Sequence, residues 1–322
     1  MVLEVVPVSS PAAPATVLER IVGNRATGSV ERELRLLFLG CEAQPPYGPY
    51  EHTAALFLDL ITRALQEIDA TNYDYYKIVM DVYHVSEHQF PPRSVYGDYN
   101  GIILPGSFSA AYDTDPWILE LCNVIQEELV PNQRPTLGVC FGHQILAHSF
   151  PQGGAIKCPA GPQAGRKAAQ LTSHGKQWLF DGSTKAPSSL ESDTVDRNEE
   201  RDALHLFYSH GDMVEKLPPQ GRVLGGTKEV PIQTAIYLTE HNKPFAITFQ
   251  AHPEYASSQS VGLEGTLNPI LQAMHERRDI SSEEWKRAKA DAKKEYTMVE
   301  QQSIQTMITA GRLLGWFPGA SK

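Results

Sequence analysis

Two short stretches hold the residue types that covalent catalysis needs. The first is Thr136 to Gln144, TLGVCFGHQ, where a short apolar run enters Gly138-Val139-Cys140-Phe141-Gly142 and helix-compatible sequence follows at once. Small residues on both sides of a nucleophile let the chain turn sharply from strand to helix and hold the side chain out in a strained conformation. This is the thiol counterpart of the Gly-x-Ser-x-Gly elbow. A helix N-terminus beneath Cys140 favours the thiolate, and the backbone N–H of Phe141 points to where an oxyanion would form. Taken alone, a cysteine between glycines at a strand end is equally a small buried packing residue.

The second stretch lies far downstream, at Phe249-Gln250-Ala251-His252-Pro253-Glu254-Tyr255. An apolar run from Phe245 to Phe249 delivers His252 to a loop, where Pro253 blocks regular continuation. A thiol nucleophile needs a base to form the thiolate and an acid for the leaving amine, and the base needs an anion to fix its tautomer. Cys140, His252 and Glu254 supply those three roles. A third element, Leu104-Pro105-Gly106-Ser107, ends a strand in a Pro-Gly turn whose Gly106 or Ser107 N–H suits a second oxyanion donor; an ordinary β-turn reads the same way.

These groups need strand ends to present them, and the chain supplies strands alternating with helices. Leu34 to Leu39 is an apolar run suited to a strand buried on both faces. Ala54, Phe57, Leu58, Ile61, Leu65 and Ile68 follow helical spacing over Tyr50 to Ile68. Strands are expected at Ile78 to Val85, Ile102 to Leu104 and Thr136 to Val139, with helices over Pro116 to Leu129, N-capped by Asp115, and Phe141 to Phe150. Further strands are expected at Ala168 to Thr172, Ala203 to Tyr208, Thr234 to Thr239 and Phe245 to Phe249. The order implies an α/β fold, doubly wound around a mainly parallel sheet with helices on both faces. Residues 1–33 read as an N-terminal arm without sustained period and 34–258 as the catalytic domain. Residues 259–322 read as a helical extension packed on that domain, in which Ser281 and Glu284 have capping-box spacing and Trp285, Ala288, Ala292, Tyr296 and Val299 line one face of a long helix. Asp181 to Asp202, rich in Ser, Asp and Glu, reads as a solvated loop.

Composition narrows the function classes. The 322 residues carry 28 Lys and Arg against 38 Asp and Glu, a net charge of −10, and lack the basic clusters that nucleic acid or anionic lipid would require. Four cysteines in a chain of this length do not make a disulfide scaffold, and no leader or bilayer-length apolar run is visible, so the expected compartment is the reducing cytoplasm. No phosphate loop, dinucleotide fingerprint or zinc-knuckle spacing appears, so no cofactor or metal is expected.

The elbow GVCFGHQ, the HPEY segment, the LPGS turn and Ser209-His210-Gly211-Asp212-Met213-Val214 together resemble the class I glutamine amidotransferase family, with its Cys-His-Glu triad. DTDPW at Asp113 to Trp117 and FGHQILAHSF bring the chain nearer to stand-alone cytosolic members such as the γ-glutamyl peptidases. The resemblance covers roughly Leu34 to Tyr255. It implies a flavodoxin-like sheet and attack of Cys140 on a γ-glutamyl amide carbon, through a thioester. It also implies an oxyanion hole at Gly106 and Phe141, and a glutamyl pocket bordered by Ser107, Gln144, Ser209, His210, Gly211 and Asp212; for His210 and Asp212 a structural hydrogen-bonded turn stays open. The family's Pro-Gly-Trp-Glu-x-Gly run is replaced by Pro159 to Gly165, with neutral Gln163 where an acid is expected. Cys41 and Cys158 are expected to be inert. Three readings follow: a self-contained hydrolase of glutamine, glutathione or a glutathione-type conjugate; a glutaminase subunit supplying ammonia to a separate synthase; and a repurposed protein with a non-glutamyl substrate.

Overall fold

The computed structural model describes residues 5–7, 13–23, 31–68, 75–179 and 202–318. Strand β1 (Val5–Pro7) pairs antiparallel with β2 (Thr16–Val22), and β2 pairs antiparallel with β4 (Tyr75–His84). Part of the stretch read as an arm therefore extends the sheet. In β3 (Glu31–Gly40), Leu34, Leu36 and Phe38 enter the core on one face while Leu37 and Leu39 enter it on the other, which is why Leu36 to Leu39 is continuously apolar; Arg35 interrupts the run and pairs with Asp81 on β4.

Five neighbouring strands form the parallel centre: β4, β3, β5 (Gly101–Leu104), β6 (Thr136–Val139) and β13 (Pro244–Phe249). Beyond β13 the sheet continues antiparallel through β12 (Thr234–Leu238), β11 (Gly221–Gly226), β8 (Gln163–Leu171) and β9 (Ala203–His210), giving an eleven-stranded order among the described residues. A separate two-stranded ladder joins β7 (Gly154–Lys157) to β10 (Asp212–Lys216). Helices cover both faces. On one side α1 (Tyr50–Ile68) packs through Ala54, Phe57, Ile61 and Leu65. On the other lie α2 (Pro116–Val124), which runs on as a π-helical turn over Ile125–Leu129, and α3 (Phe141–His148). This is the flavodoxin-like doubly wound α/β arrangement, followed by a helical C-terminal region.

One local expectation holds in position only and another is corrected. Asp115 stands at the N-cap of α2 ahead of Pro116, but its side chain makes no cap bond; its main-chain oxygen instead accepts from the Ile118 and Leu119 N–H groups. The tail is not one long helix. After α4 (Ser173–Leu179) and α5 (Asn268–Glu276) come α6 (Ser282–Lys294) and α7 (Tyr296–Leu313), separated at Glu295. Glu295 leaves helical geometry at φ −104°, ψ 12° and pairs with Arg166 on β8, so a tertiary ion pair anchors the break. The capping box forms: Ser281 Oγ accepts from the Glu284 N–H at 3.2 Å and Glu284 Oε2 accepts from the Ser281 N–H at 2.9 Å. Trp285, Ala288, Ala292, Tyr296 and Val299 all join one cluster with Tyr255 and Ala256, and α7 also seats Met307, Ala310 and Leu313 beside α1. The acidic segment 181–201 lies outside the described residues.

Candidate active site

Strands β5, β6 and β13 are consecutive and parallel, with Leu104 opposite Gly138 and Phe249 opposite Val139, so their C-terminal ends lie side by side. That edge is where open α/β sheets place ligands. The three sequence segments that carry candidate chemistry leave from these three ends.

Cys140 follows β6 directly and precedes α3. Its backbone sits at φ 52°, ψ −104°, a conformation that L-residues rarely adopt and that persists only where the surroundings enforce it. The enforcement is visible. The Cys140 N–H donates to Phe249 O at 2.8 Å and the Gly142 N–H donates to Pro105 O at 3.0 Å, while a Cβ on Gly142 would lie 2.0 Å from the Leu104 carbonyl oxygen. The turn is thus clamped between β5 and β13, and only glycine fits behind it. As first residue of α3, Phe141 has an N–H with no intrahelical acceptor.

His252 ends the segment after β13, with its N–H donating to Phe207 O at 2.8 Å. A 3₁₀ turn over Pro253–Ala256 brings Glu254 back, so that Glu254 Oε1 accepts from His252 Nδ1 at 2.7 Å. Tyr255 lies flat against the imidazole, centroids 4.1 Å apart and planes 4° apart. Both partners are 1% exposed. Burial disfavours the imidazolium, but the Glu254 carboxylate and then the Cys140 sulfur more than reverse this and raise the His252 pKa to about 10. Gly106 lies against both groups: a Cβ there would stand 3.0 Å from His252 Cε1 and 3.6 Å from Cys140 Cβ.

Cys140 opens into a cavity of about 180 Å³. Ser107, Gln144, Ser209, His210, Gly211 and Asp212 line it, so every residue expected to border a pocket is brought to one place. Gln144 Nε2 donates to Asp212 O at 3.0 Å and to Gln250 Oε1 at 3.1 Å, tying the elbow helix to the β9–β10 junction. His210 Nδ1 donates to Asp212 O at 2.7 Å, which leaves Nε2 as a buried acceptor without a partner among the described residues. Burial pushes the His210 pKa down to about 3, so the ring is neutral. Burial also raises the Asp212 carboxyl, whose Oδ1 accepts from the Tyr112 hydroxyl at 3.0 Å.

The wall also includes residues not singled out from sequence, among them Tyr47, Phe108, Lys157, Met274, Arg277 and Asp279. Gln163 does not face the cavity; its Nε2 donates to Gly161 O at 3.1 Å, closing its own turn. Cys41 is buried with Sγ 3.1 Å from Leu39 O, and burial pushes its thiol well up, followed by the effect of Glu42. Cys158 sits in a small apolar cluster with Met213 and Val230. His143, inside the elbow helix, is held by Thr248 at 2.7 Å and Ile232 O at 3.1 Å and serves the core.

The model of the glutamine amidotransferase class-I family matches residues 59–262, well over half of the chain. γ-Glutamyl peptidase 2 of Arabidopsis thaliana is 26% identical over 218 residues, covering 66% of this chain and 74% of that protein. The glutamine-hydrolysing GMP synthase of Porphyromonas gingivalis is 29% identical over 171 residues, covering 53% of this chain and 28% of that one. Among solved structures, a glutamine amidotransferase of Thermotoga maritima superposes with a TM-score of 0.57 at 15% identity, over 87% of this chain and 98% of its own, a likeness of fold. Among the described residues, no helix is long and apolar enough to cross a membrane.

Proposed function

The chain belongs to the class-I glutamine amidotransferase family, and from that premise we propose that it hydrolyses a γ-glutamyl amide bond through a thioester on Cys140. The observation that carries this reading is the convergence of the strained Cys140 with a buried, charge-stabilised His252–Glu254 pair at one sheet edge. Similarity to a γ-glutamyl peptidase supports the choice of acyl group.

In this reading the Cys140 sulfur, as thiolate, attacks the γ-carbonyl carbon. Negative charge develops on the carbonyl oxygen, and the N–H groups of Phe141 and Gly106 face it; each such donor is worth about 10²- to 10³-fold in kcat. The imidazolium of His252 gives its Nε2 proton to the departing nitrogen as the C–N bond breaks, leaving the thioester and a free amine. Neutral His252 then takes a proton from water, the resulting hydroxyl adds to the thioester carbon, and glutamate leaves as the thiolate reforms. The glutamyl head carries an ammonium and a carboxylate. The neutral His210 Nε2 and the Asp212 carboxylate suit the first, and Lys157, directly opposite Asp212 in the β7–β10 ladder, suits the second.

The test is glutamate release from a panel of glutamine, γ-glutamyl dipeptides and glutathione, with intact-mass detection of a γ-glutamyl adduct on Cys140. Release from none of them overturns the reading. The GMP synthase similarity favours a second one, a glutaminase supplying ammonia to a separate synthase. A kcat/KM for glutamine above that for every γ-glutamyl peptide selects it. A further expectation concerns Gly106. Its methyl-bearing replacement would press on His252 Cε1 from 3.0 Å, and Tyr255 blocks retreat on the stacked face. Gly106→Ala is therefore expected to lower kcat by roughly 10- to 100-fold, since small misplacements of a reacting group carry costs of that order, with Tm little changed. An unaltered kcat removes Gly106 from the site.

A further inference from the structure

The cavity wall carries more charge than one glutamyl group can use. Lys157 and Asp212, of opposite sign, stand opposite each other in the β7–β10 ladder, and the Asp212 main-chain oxygen accepts from Gln144 of the elbow helix and from His210. A second pair, Arg277 and Asp279, comes from the end of α5, beyond residue 262 where the family segment stops. Free glutamine has a single ammonium and a single carboxylate, so the second pair has nothing to meet in it.

The second pair is built rather than incidental. Helix α5 ends in a Schellman-type closure: the Asp279 N–H donates to Met274 O and the Arg278 N–H to His275 O, both at 2.9 Å, with Arg278 left-handed at φ 64°. This turn aims residues 277 and 279 the same way, and Arg277 Nε donates to Asp279 Oδ2 at 2.9 Å. The guanidinium also lies over the Phe108 ring, 4.6 Å from its centroid, and Phe108 meets Tyr47 edge-on at 4.7 Å. Phe108 is in turn fixed by its N–H, which donates to Glu42 Oε2 at 3.2 Å. With Nε engaged and the plane held by an aromatic face, the Nη groups have no acceptor among the described residues.

Position assigns the pair to one side of the scissile bond. Cys140, Gln144 and His210 form the buried floor, each under 5% exposed, whereas the Arg277 and Asp279 side chains are 47% and 38% exposed at the mouth. The amine must leave through that mouth.

We infer that Arg277, supplied by the C-terminal extension, receives a carboxylate on the amine being released, which makes γ-glutamyl amino acids or peptides, rather than glutamine, the preferred substrate class. This rests on the γ-glutamyl reading above and names its leaving group. The amide-linked residue lies against Phe108 and Met274 while its carboxylate meets the Arg277 Nη groups.

Binding tests this apart from turnover. Calorimetry on the Cys140→Ala protein compares γ-glutamylglycine with γ-glutamylethylamide, which is nearly the same size and lacks only the carboxylate. A half-exposed charge-assisted contact is worth about tenfold, so γ-glutamylglycine is expected to bind about tenfold more tightly. Adding Arg277→Gln is expected to collapse that ratio towards one. Equal affinities in the parent, a ratio untouched by the substitution, or no binding of either ligand overturns the inference. Turnover without carboxylate preference leaves the hydrolase standing and removes this subsite; selective binding without turnover does the reverse.

Discussion

Replacing Cys140 with alanine is expected to lower kcat/KM for glutamate release by about 10⁴-fold or more while leaving a folded protein. A nucleophile that acts as one unit with its base and acid takes nearly all of the chemical acceleration with it when it is removed. No other thiol is placed to substitute: Cys41 is buried with its pKa pushed up, Cys122 sits on α2 outside the cavity lining with its pKa also raised by burial, and Cys158 packs among Met213 and Val230. The fold should survive because the elbow is held by backbone bonds to Phe249 and Pro105 rather than by the sulfur. The strain at φ 52° supplies a second readout. Cys140→Gly can adopt that conformation at low cost, so it should be more stable than Cys140→Ala by about 1 kcal/mol, measured by denaturant unfolding. Residual activity of the alanine variant within tenfold of the parent would contradict covalent catalysis at this residue, and equal stabilities would contradict stored strain.

The elbow was legible in sequence because its geometry leaves few alternatives: Gly142 must lie on the Leu104 carbonyl, and a thiol between two glycines at a strand end is an uncommon pattern. The central strands were equally legible, since burial on both faces writes itself as a run such as Leu36 to Leu39. Gln144 and the Ser209 to Asp212 segment entered through resemblance, and the cavity brings them together. What sequence did not yield depends on partners far along the chain. Strand β2 is a seven-residue strand that follows a Pro-, Ala- and Ser-rich stretch, recognisable only once β4 accepts it. The β7–β10 ladder is too short and too polar to show a period, so Lys157 could not be set opposite Asp212. Arg277 stands in the charged run HERRD, where it and Arg278 look alike; only the closure at Met274 and His275 selects which side chain turns to Phe108. The break at Glu295 is likewise tertiary, because the intervening sequence holds neither Gly nor Pro.

The second large effect is expected from Glu254→Gln, which keeps shape and removes charge. Glu254 is the foremost of the influences that raise the His252 pKa against its burial, so the variant's imidazole should lose its proton at lower pH. The amide also relaxes the tautomer, because it offers a donor as readily as an acceptor at the 2.7 Å contact. Together these should reduce kcat by roughly 10²- to 10⁴-fold at neutral pH, the range set by analogous changes to a triad carboxylate. Stability carries an independent signature. In the folded protein His252 holds its proton to about pH 10, whereas an unfolded histidine releases it near pH 6.5. Between those values the folded state binds the extra proton, so this group's contribution is fully present below about pH 6.5 and is lost as pH rises towards 10. Wild-type Tm should therefore fall across that window, and the fall should be smaller in Glu254→Gln, where folded and unfolded pKa values lie closer together. Tm profiles that decline in parallel would separate Glu254 from the proton on His252, and with it from the acid that the departing amine requires.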